Sequence, residues 1–246
     1  MTAWTYQPAP DLRQTLIARV MQAPRYPDLL QYAVRTAGTC LIRTWLCTYF
    51  GFRVRGRENL PAAGSFVMVA NHSSHLDALC VLAALPMGRI HTAYPAAAAD
   101  YFFKNVPLGI LSGLFMNALP FSRKGKVRQT LESCRKVLAG DRNALILFPE
   151  GTRSTTGRMN PFKGGVGELV AGTATPVVPC YLDGAFEAWP KGRMIPAPRR
   201  LTLRIGTPLV FGHLPRNRPN CDEIARELEE AVRNLAPLHQ HKESMT

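Results

Sequence analysis

A histidine and an aspartate five residues apart could do acid–base chemistry; they lie in the stretch Asn71-His72-Ser73-Ser74-His75-Leu76-Asp77. On a regular helix, two side chains at this spacing point away from each other. If His72 instead lies in a loop before the helix, Asp77 can reach back to one ring nitrogen and leave the other as a base. Such a base can take the proton of a hydroxyl, so the pair suits acyl transfer.

Two other interpretations of these residues stay open. His72, His75 and Asp77 could be ligands of a metal such as zinc in a metal-dependent hydrolase. Alternatively, His72 and Asp77 could be an ordinary helix-capping pair. His91 and His213 stand alone in the sequence, so no second ligand cluster adds to the metal interpretation.

A second polar stretch reads FPEGTRS and runs from Phe148 to Ser154, directly after an apolar run. Loops in this position carry ligand sites in α/β sheets. Gly151 allows a close turn, and Arg153 can hold a phosphate through two hydrogen bonds. Glu150 could orient that arginine or contact the substrate.

Two further cations follow apolar segments. Arg123 comes just after the strand-like NALPF, and Lys163 precedes a glycine-rich helix start that reads GGVG. Backbone N–H groups at such a start favour anions. The glycine spacing matches neither the phosphate loop of nucleotide hydrolases nor the dinucleotide fingerprint, so it indicates close packing with a possible anion contact.

These groups must be positioned by an alternation of strands and helices. Apolar runs predict strands at 65–71, 89–94, 117–121, 143–148, 177–182 and 200–205. Helical periodicity follows the 72–77 loop, where Ser73 or Ser74 is a candidate N-cap, and returns at 126–139, 162–171 and 222–235. The alternation predicts an α/β fold with a largely parallel central sheet flanked by helices.

The segment from Leu29 to Phe52 is rich in leucine and aromatic residues. A membrane span needs about 20 nearly uncharged residues, and Arg35 and Arg43 interrupt this one. We expect an interfacial helix with its aromatic groups among lipid headgroups and its arginines on phosphates; a helix packed on the domain is the alternative. Residues 1–52 are therefore predicted to be an N-terminal helical membrane-associating arm, and 53–246 the main domain.

The formal charge of +13 favours an anionic partner: nucleic acid, an anionic membrane, or a phosphate-rich ligand or acidic carrier protein. The cations are spread over the chain in small clusters, so a non-enzymatic basic protein is the third functional alternative. The 187–200 segment, with Trp189, prolines and several cations, could lie at the headgroup level. The six cysteines have no metal-binding spacing, which is typical of reduced thiols in a reducing compartment.

Taken in order, these stretches resemble the glycerolipid acyltransferase family, the 1-acylglycerol-3-phosphate acyltransferase-like enzymes. The family's N-H-x-x-x-x-D motif matches at Asn71, His72 and Asp77, and its FPEGTRS motif matches in full. The motif of an apolar strand ending in arginine matches loosely at 119–123, and the proline-bearing strand matches at 177–181. The resemblance covers roughly residues 50 to 210.

The resemblance implies transfer of a fatty acyl group from acyl-CoA or acyl carrier protein to a lysophospholipid hydroxyl, with no metal, no other cofactor and no acyl-enzyme. His72 and Asp77 would be catalytic. The substrate would be held by Asn71, Arg123, Glu150, Gly151, Thr152, Arg153 and Lys163, of which the two arginines bind the acceptor's phosphate.

The same resemblance predicts a protein that associates with an anionic membrane, on the cytoplasmic face of the inner membrane, and does not bind nucleic acid. The acceptor that the resemblance implies is 1-acylglycerol 3-phosphate, which would give phosphatidic acid. The stretch 94–104 lacks the lysine-rich sequence usual in phosphatidic-acid-forming members. Another lyso-lipid, such as an amino-acid lipid, therefore remains an alternative acceptor.

Overall fold

One seven-stranded sheet organises the described part of the chain, residues 29–98, 119–121 and 127–237 of a computed structural model. Its strands are β1 (Arg53–Arg55), β2 (Phe66–Ala70), β3 (Ala93–Ala98), β4 (Leu119–Phe121), β5 (Ala144–Leu147), β6 (Val177–Asp183) and β7 (Thr202–Ile205). Their spatial order is β1-β7-β6-β2-β5-β3-β4, and only β6 and β7 pair antiparallel. The prediction of a largely parallel sheet is confirmed.

Helices cover both faces of this sheet. In the described residues they are α1 (Leu29–Phe50), α2 (Asp77–Ala84), α3 (Val127–Leu138), α4 (Gly165–Val170), α5 (Ala185–Ala188) and α6 (Arg218–Asn234), with 3-10 turns at Arg57–Asn59 and Met87–Thr92. Helices α1, α2 and α5 contribute to the core on one face, and α3, α4 and α6 to the core on the other. The α/β prediction with flanking helices is therefore confirmed.

Strand β2 lies at the centre and is buried along its whole length. Alternate side chains enter opposite cores: Phe66 and Met68 pack on the α1 and α2 side, and Val67 and Val69 on the α4 and α6 side. A strand buried on both faces needs apolar residues at every position. This requirement explains the uninterrupted sequence FVMVA, and it fixes where the polar residues after Ala70 emerge.

Helix α1 packs on the domain through Leu46 and Phe50, which are buried. Its arginines also turn inward: Arg35 donates to the carbonyl of His91 at 3.4 Å, and Arg43 donates to the carbonyls of Ala83 and Leu85. The expectation that these arginines contact lipid phosphates is wrong, because the carbonyl groups at the end of α2 and in the 87–92 turn accept their hydrogen bonds.

The predicted membrane-associating role of this arm stays a prediction, and its first 28 residues lie outside the described part. No helix within the described ranges has the length and apolarity required to cross a bilayer.

A strand predicted at 89–94 instead begins at Ala93, after the 3-10 turn. The cause is Arg89, which is buried. Its guanidinium donates to four main-chain carbonyls, those of Pro61, Ala62, Gly64 and Arg142. Four carbonyl acceptors satisfy the guanidinium away from water. This arginine therefore fastens the loop before β2 to the loop before β5.

The glycine-rich start of α4 allows a close helix contact. A Cβ added at Gly167 would collide with the backbone of Cys221 in α6. The close packing predicted for this motif is present, and it holds α4 and α6 together beneath the loop that carries Lys163.

Candidate active site

The polar residues gather at the carboxyl ends of three adjacent strands. His72 follows β2, Glu150 follows β5, and Trp189 follows β6 and the short α5. Because β5, β2 and β6 are neighbours and parallel, their carboxyl ends open at the same edge of the sheet. That edge is where open α/β sheets bind ligands.

The histidine and the aspartate are in direct contact. Nδ1 of His72 lies 2.7 Å from Oδ2 of Asp77. The His72 side chain is 19% exposed whereas Asp77 is 1% exposed, so the carboxylate lies beneath a ring that still reaches the surface. The ring also stacks on Phe148, with centroids 4.3 Å apart and planes inclined by 22°. The predicted contact between base and acid is therefore present.

Asp77 is held as firmly as the ring that it contacts. Its Oδ2 also accepts hydrogen bonds from the backbone N–H groups of Ser73 and Ser74, at 2.7 and 2.8 Å. The predicted N-cap role of these serines is wrong, because Leu76 is the N-cap of α2. The serine N–H groups instead donate to the side chain of Asp77, the first residue of that helix. Three donors on one oxygen fix the carboxylate in place.

Glu150 holds the backbone of His72. Its Oε1 accepts from the N–H of His72 at 2.6 Å, and its Oε2 accepts from the backbone and side-chain N–H groups of Asn160, both at 2.9 Å. Ser154 donates its N–H to the carbonyl of His72 at 2.8 Å. Burial raises the pKa of Glu150, and the bonds from Asn160 and His72 oppose that rise.

Because Glu150 is buried and both of its oxygens are occupied, the geometry supports a positioning role. It offers no free oxygen for the predicted contact with substrate or with Arg153.

Asn71 joins the ends of two strands. Its Nδ2 donates to the carbonyl of Leu182 at 3.0 Å, and its Oδ1 accepts from the N–H of the same residue at 2.8 Å. The amide thus continues the β2–β6 ladder past Ala70, where the main chain departs towards His72. The residue is buried, so the structure gives it a positioning role instead of the predicted substrate contact.

Arg153 lies beside the second histidine. Its Nη1 is 2.8 and 2.7 Å from the two ring nitrogens of His75, and the His75 ring lies 5.2 Å from that of Trp189. Burial lowers the pKa of His75, and the charge of Arg153 lowers it further. A neutral imidazole adds no second positive charge beside the guanidinium.

The same geometry bears on the metal interpretation. His75 faces Arg153 and Trp189, whereas the Nδ1 edge of His72 faces Asp77. Within the described ranges, no set of three or more His, Cys, Asp or Glu side chains is arranged to hold a metal ion. The alternative ligand set of His72, His75 and Asp77 is therefore not assembled.

Lys163 crosses over the FPEGTRS loop. Gly151 has a φ of +72°, and a Cβ added there would lie 2.7 Å from Nζ of Lys163. The backbone N–H of Lys163 also donates to the carbonyl of Pro149 at 3.1 Å. Lys163 and Thr152 are exposed, and Arg153 is half-buried. Gly151 therefore leaves space for a cation at the surface of the loop.

One predicted site residue, Arg123, lies outside the described residues. Two contributors were not predicted. Asn160 binds Glu150 from ten residues away, and no pattern in the sequence marked it. Trp189 accepts from the hydroxyl of Ser74 through its carbonyl, at 2.8 Å.

Comparison with known proteins gives consistent results. Residues 51–183, more than half of the chain, match the family described as Acyltransferase. A 1-acyl-sn-glycerol-3-phosphate acyltransferase from Limnanthes douglasii is 31% identical over 164 residues, which cover 64% of this chain and 54% of that protein. One from Chlamydomonas reinhardtii is 27% identical over 243 residues, covering 96% and 68%.

Among solved structures, the 1-acyl-sn-glycerophosphate acyltransferase from Thermotoga maritima is similar in fold. Its TM-score is 0.62 at 24% identity, over 89% of this chain and 85% of that one. The chain spans about half the length of the first curated relatives that it matches. The match over residues 51–183 includes both the histidine–aspartate loop and the FPEGTRS loop, and it confirms the predicted resemblance: the chain belongs to the acyltransferase family.

Proposed function

We propose that this protein is an O-acyltransferase that moves a fatty acyl group from a thioester to the free hydroxyl of a lysophospholipid. The observation that carries the proposal is the 2.7 Å contact between Nδ1 of His72 and Oδ2 of Asp77 in a partly exposed site. Asp77 accepts a hydrogen bond from Nδ1–H of His72, so the neutral ring carries its proton on Nδ1 and Nε2 can act as a base.

His72 and Asp77 are sufficient for the proton transfers of this reaction. Nε2 of His72 takes the proton of the acceptor hydroxyl while its oxygen forms a bond to the thioester carbonyl carbon. Asp77 stabilises the imidazolium that results. The tetrahedral intermediate then expels the thiolate, which takes the proton back from His72. The products are an ester and a free thiol, and the enzyme returns to its starting protonation state.

The acceptor that we propose is 1-acylglycerol 3-phosphate, which gives phosphatidic acid. Two cations on or across the FPEGTRS loop could bind its phosphate: Arg153, which contacts His75 three residues from His72, and Lys163, which lies over Gly151. The relatives from Limnanthes douglasii and Chlamydomonas reinhardtii carry the name of enzymes for this acceptor. Arg123 is proposed as a further phosphate contact on the strength of the sequence motif alone.

The donor that we propose is acyl-CoA or acyl carrier protein, because both present an acyl thioester and carry negative charge that a chain of +13 attracts. We place the enzyme on the cytoplasmic face of the inner membrane, against anionic lipid. The exposed free thiols of Cys40 and Cys47 suit a reducing compartment.

The test is to incubate the purified full chain with a labelled acyl thioester and a panel of lyso-lipids, and to identify the products by mass. His72→Ala should lower kcat by about 10³-fold or more, and Asp77→Asn by about 10²- to 10⁴-fold, with folding kept. The control is His213→Ala, at an exposed loop position. Near-normal turnover by His72→Ala, or no ester with any acceptor, would overturn the proposal.

A further inference from the structure

Exposed apolar side chains are concentrated in two adjoining segments. Of the six large apolar residues that are exposed in the described part of the chain, five lie on α1 or on the 189–200 loop between α5 and β7. The loop tip is the most exposed, with Met194 at 92% and Ile195 at 76%. The two segments touch, because Tyr49 of α1 donates its hydroxyl to the carbonyl of Pro196 at 3.0 Å.

The loop has a defined shape. Nε1 of Trp189 donates to the carbonyl of Arg193 at 2.8 Å, and the N–H of Arg193 donates to Pro190 at 3.3 Å. The N–H of Ala197 donates to the carbonyl of Ala188 at 2.8 Å and closes the base of the loop. These bonds fold the backbone on itself and project Met194 and Ile195 outward, so the exposure of the tip is a property of a structured turn.

Four cations flank this tip: Lys191, Arg193, Arg199 and Arg200, all exposed. Within the described chain, none of them forms an ion pair with a carboxylate. Arg193 uses its Nη1 only for a long bond of 3.3 Å to the carbonyl of Glu187. An anionic bilayer attracts cations that lie near its surface, so the charge of the loop complements such a surface.

The base of the loop is built into the catalytic loop. The carbonyl of Trp189 accepts from the hydroxyl of Ser74 at 2.8 Å and from the N–H of His75 at 3.4 Å. Ser74 also forms an antiparallel bridge with Pro190. Because Ser74 lies two residues after His72, these bonds fix the position of the loop relative to His72. A surface that binds the loop tip would therefore lie at a defined position relative to the site.

We propose that the tip of the 189–200 loop, together with the exposed side of α1 at Leu41 and Tyr49, docks on an anionic lipid bilayer and turns the His72 site towards it. The inference deepens the proposed function, since an acceptor that carries an acyl chain resides in the bilayer. Exposed apolar side chains flanked by exposed cations match the layering of hydrocarbon beneath charged headgroups. An acidic carrier protein could also pair with the cations, and its binding is measured separately below.

The experiment measures binding of the full chain to vesicles of phosphatidylcholine, with and without phosphatidylglycerol, by flotation without substrate. Met194→Ser/Ile195→Ser should lower partitioning onto anionic vesicles about tenfold or more. Arg199→Gln/Arg200→Gln should lower it on the order of tenfold on anionic vesicles and little on phosphatidylcholine alone. Matched controls are Val210→Ser, 47% exposed beyond the opposite end of β7, and Arg226→Gln, exposed on α6.

Kinetics separate this inference from the proposed function. The apolar double variant should raise the apparent KM for an acceptor in vesicles and leave transfer to a short-chain, water-soluble acceptor unchanged. Equal partitioning of wild type and variant, an equal loss in Val210→Ser, or loss of carrier-protein binding with vesicle binding intact would overturn the docking surface. Vesicle binding that depends on the loop in a protein with no acyl transfer would overturn only the proposed function.

Discussion

The backbone N–H of His72 donates to Oε1 of Glu150 across 2.6 Å, although the two residues are 78 positions apart in the sequence. The side chain of His72 is oriented separately, by Asp77. His72 is therefore fixed twice, through its ring by the first residue of α2 and through its main chain by the FPEGTRS loop. The position of the His72 ring thus depends on both motifs.

Replacing Glu150 should affect stability and kcat more than binding. The side-chain amide of Glu150→Gln has a single oxygen acceptor, whereas the carboxylate accepts from His72 through one oxygen and from Asn160 through the other. At least one of these buried N–H donors is therefore left unpaired in the variant. We expect unfolding free energy to fall by about 1–3 kcal/mol, with a lower kcat and a little-changed acceptor KM. Urea unfolding and steady-state kinetics measure both effects. The exposed Glu227→Gln should stay within about 0.5 kcal/mol, and a raised KM with unchanged stability would mark Glu150 as a substrate contact.

Asn71 should likewise prove to be a stability residue. Asn71→Ala removes both bonds to Leu182 and leaves a buried N–H and a buried carbonyl unpaired, at a cost of about 2 kcal/mol or more. Asn71→Asp keeps an acceptor for the N–H but directs a carboxylate at the carbonyl, so it should not restore stability. Chemical denaturation compares both variants with Asn234→Ala, at an exposed position on α6. Normal stability with weakened acceptor binding would contradict this assignment.

The sequence predicted the central part of the sheet well because β2 and β5 are buried at every position, and only an unbroken apolar run satisfies that environment. It did not predict β1, whose three residues read Arg-Val-Arg. That edge strand forms because β7 lies beside it in parallel register. Its own pattern carries too little apolar character to mark it.

The contacts of the candidate site were likewise predictable only in part. The contact between His72 and Asp77 was predictable because only five positions separate the loop residue from the first residue of α2. The bond between Asn71 and Leu182 spans 111 positions and uses main-chain groups that every residue carries. The residue types of Asn71 and Glu150 therefore predicted substrate contacts. In the structure, both side chains instead bind main-chain groups and position the backbone around His72.

Gly151 should control the position of Lys163. In Gly151→Ala, the new methyl group would lie 2.7 Å from Nζ of Lys163, and the flexible lysine must move away. The positive φ costs about 1–2 kcal/mol of stability, and the displaced cation should raise the KM for a phosphate-bearing acceptor. Gly172→Ala is the matched control, because its φ is +70° but its nearest atom would be 3.8 Å away. Equal KM values in the two variants would show that Lys163 does not bind the acceptor.

His75 should make stability depend on pH. Burial and Arg153 lower its pKa in the folded protein below the ordinary value of 6.5, although Asp77 opposes them. As pH falls through 6.5, the unfolded chain therefore binds the proton first, and the folded state loses stability until its own lower pKa is passed.

The wild type should lose stability relative to His75→Gln as the pH is lowered from about 7 to about 5, because the variant lacks the imidazole whose pKa the folded state lowers. Thermal or urea unfolding across this range measures the difference. The difference should shrink when both proteins carry Arg153→Gln, since one cause of the low pKa is then removed. Parallel pH profiles for wild type and His75→Gln would mean that the contact between Arg153 and His75 has no influence on the protonation of the ring.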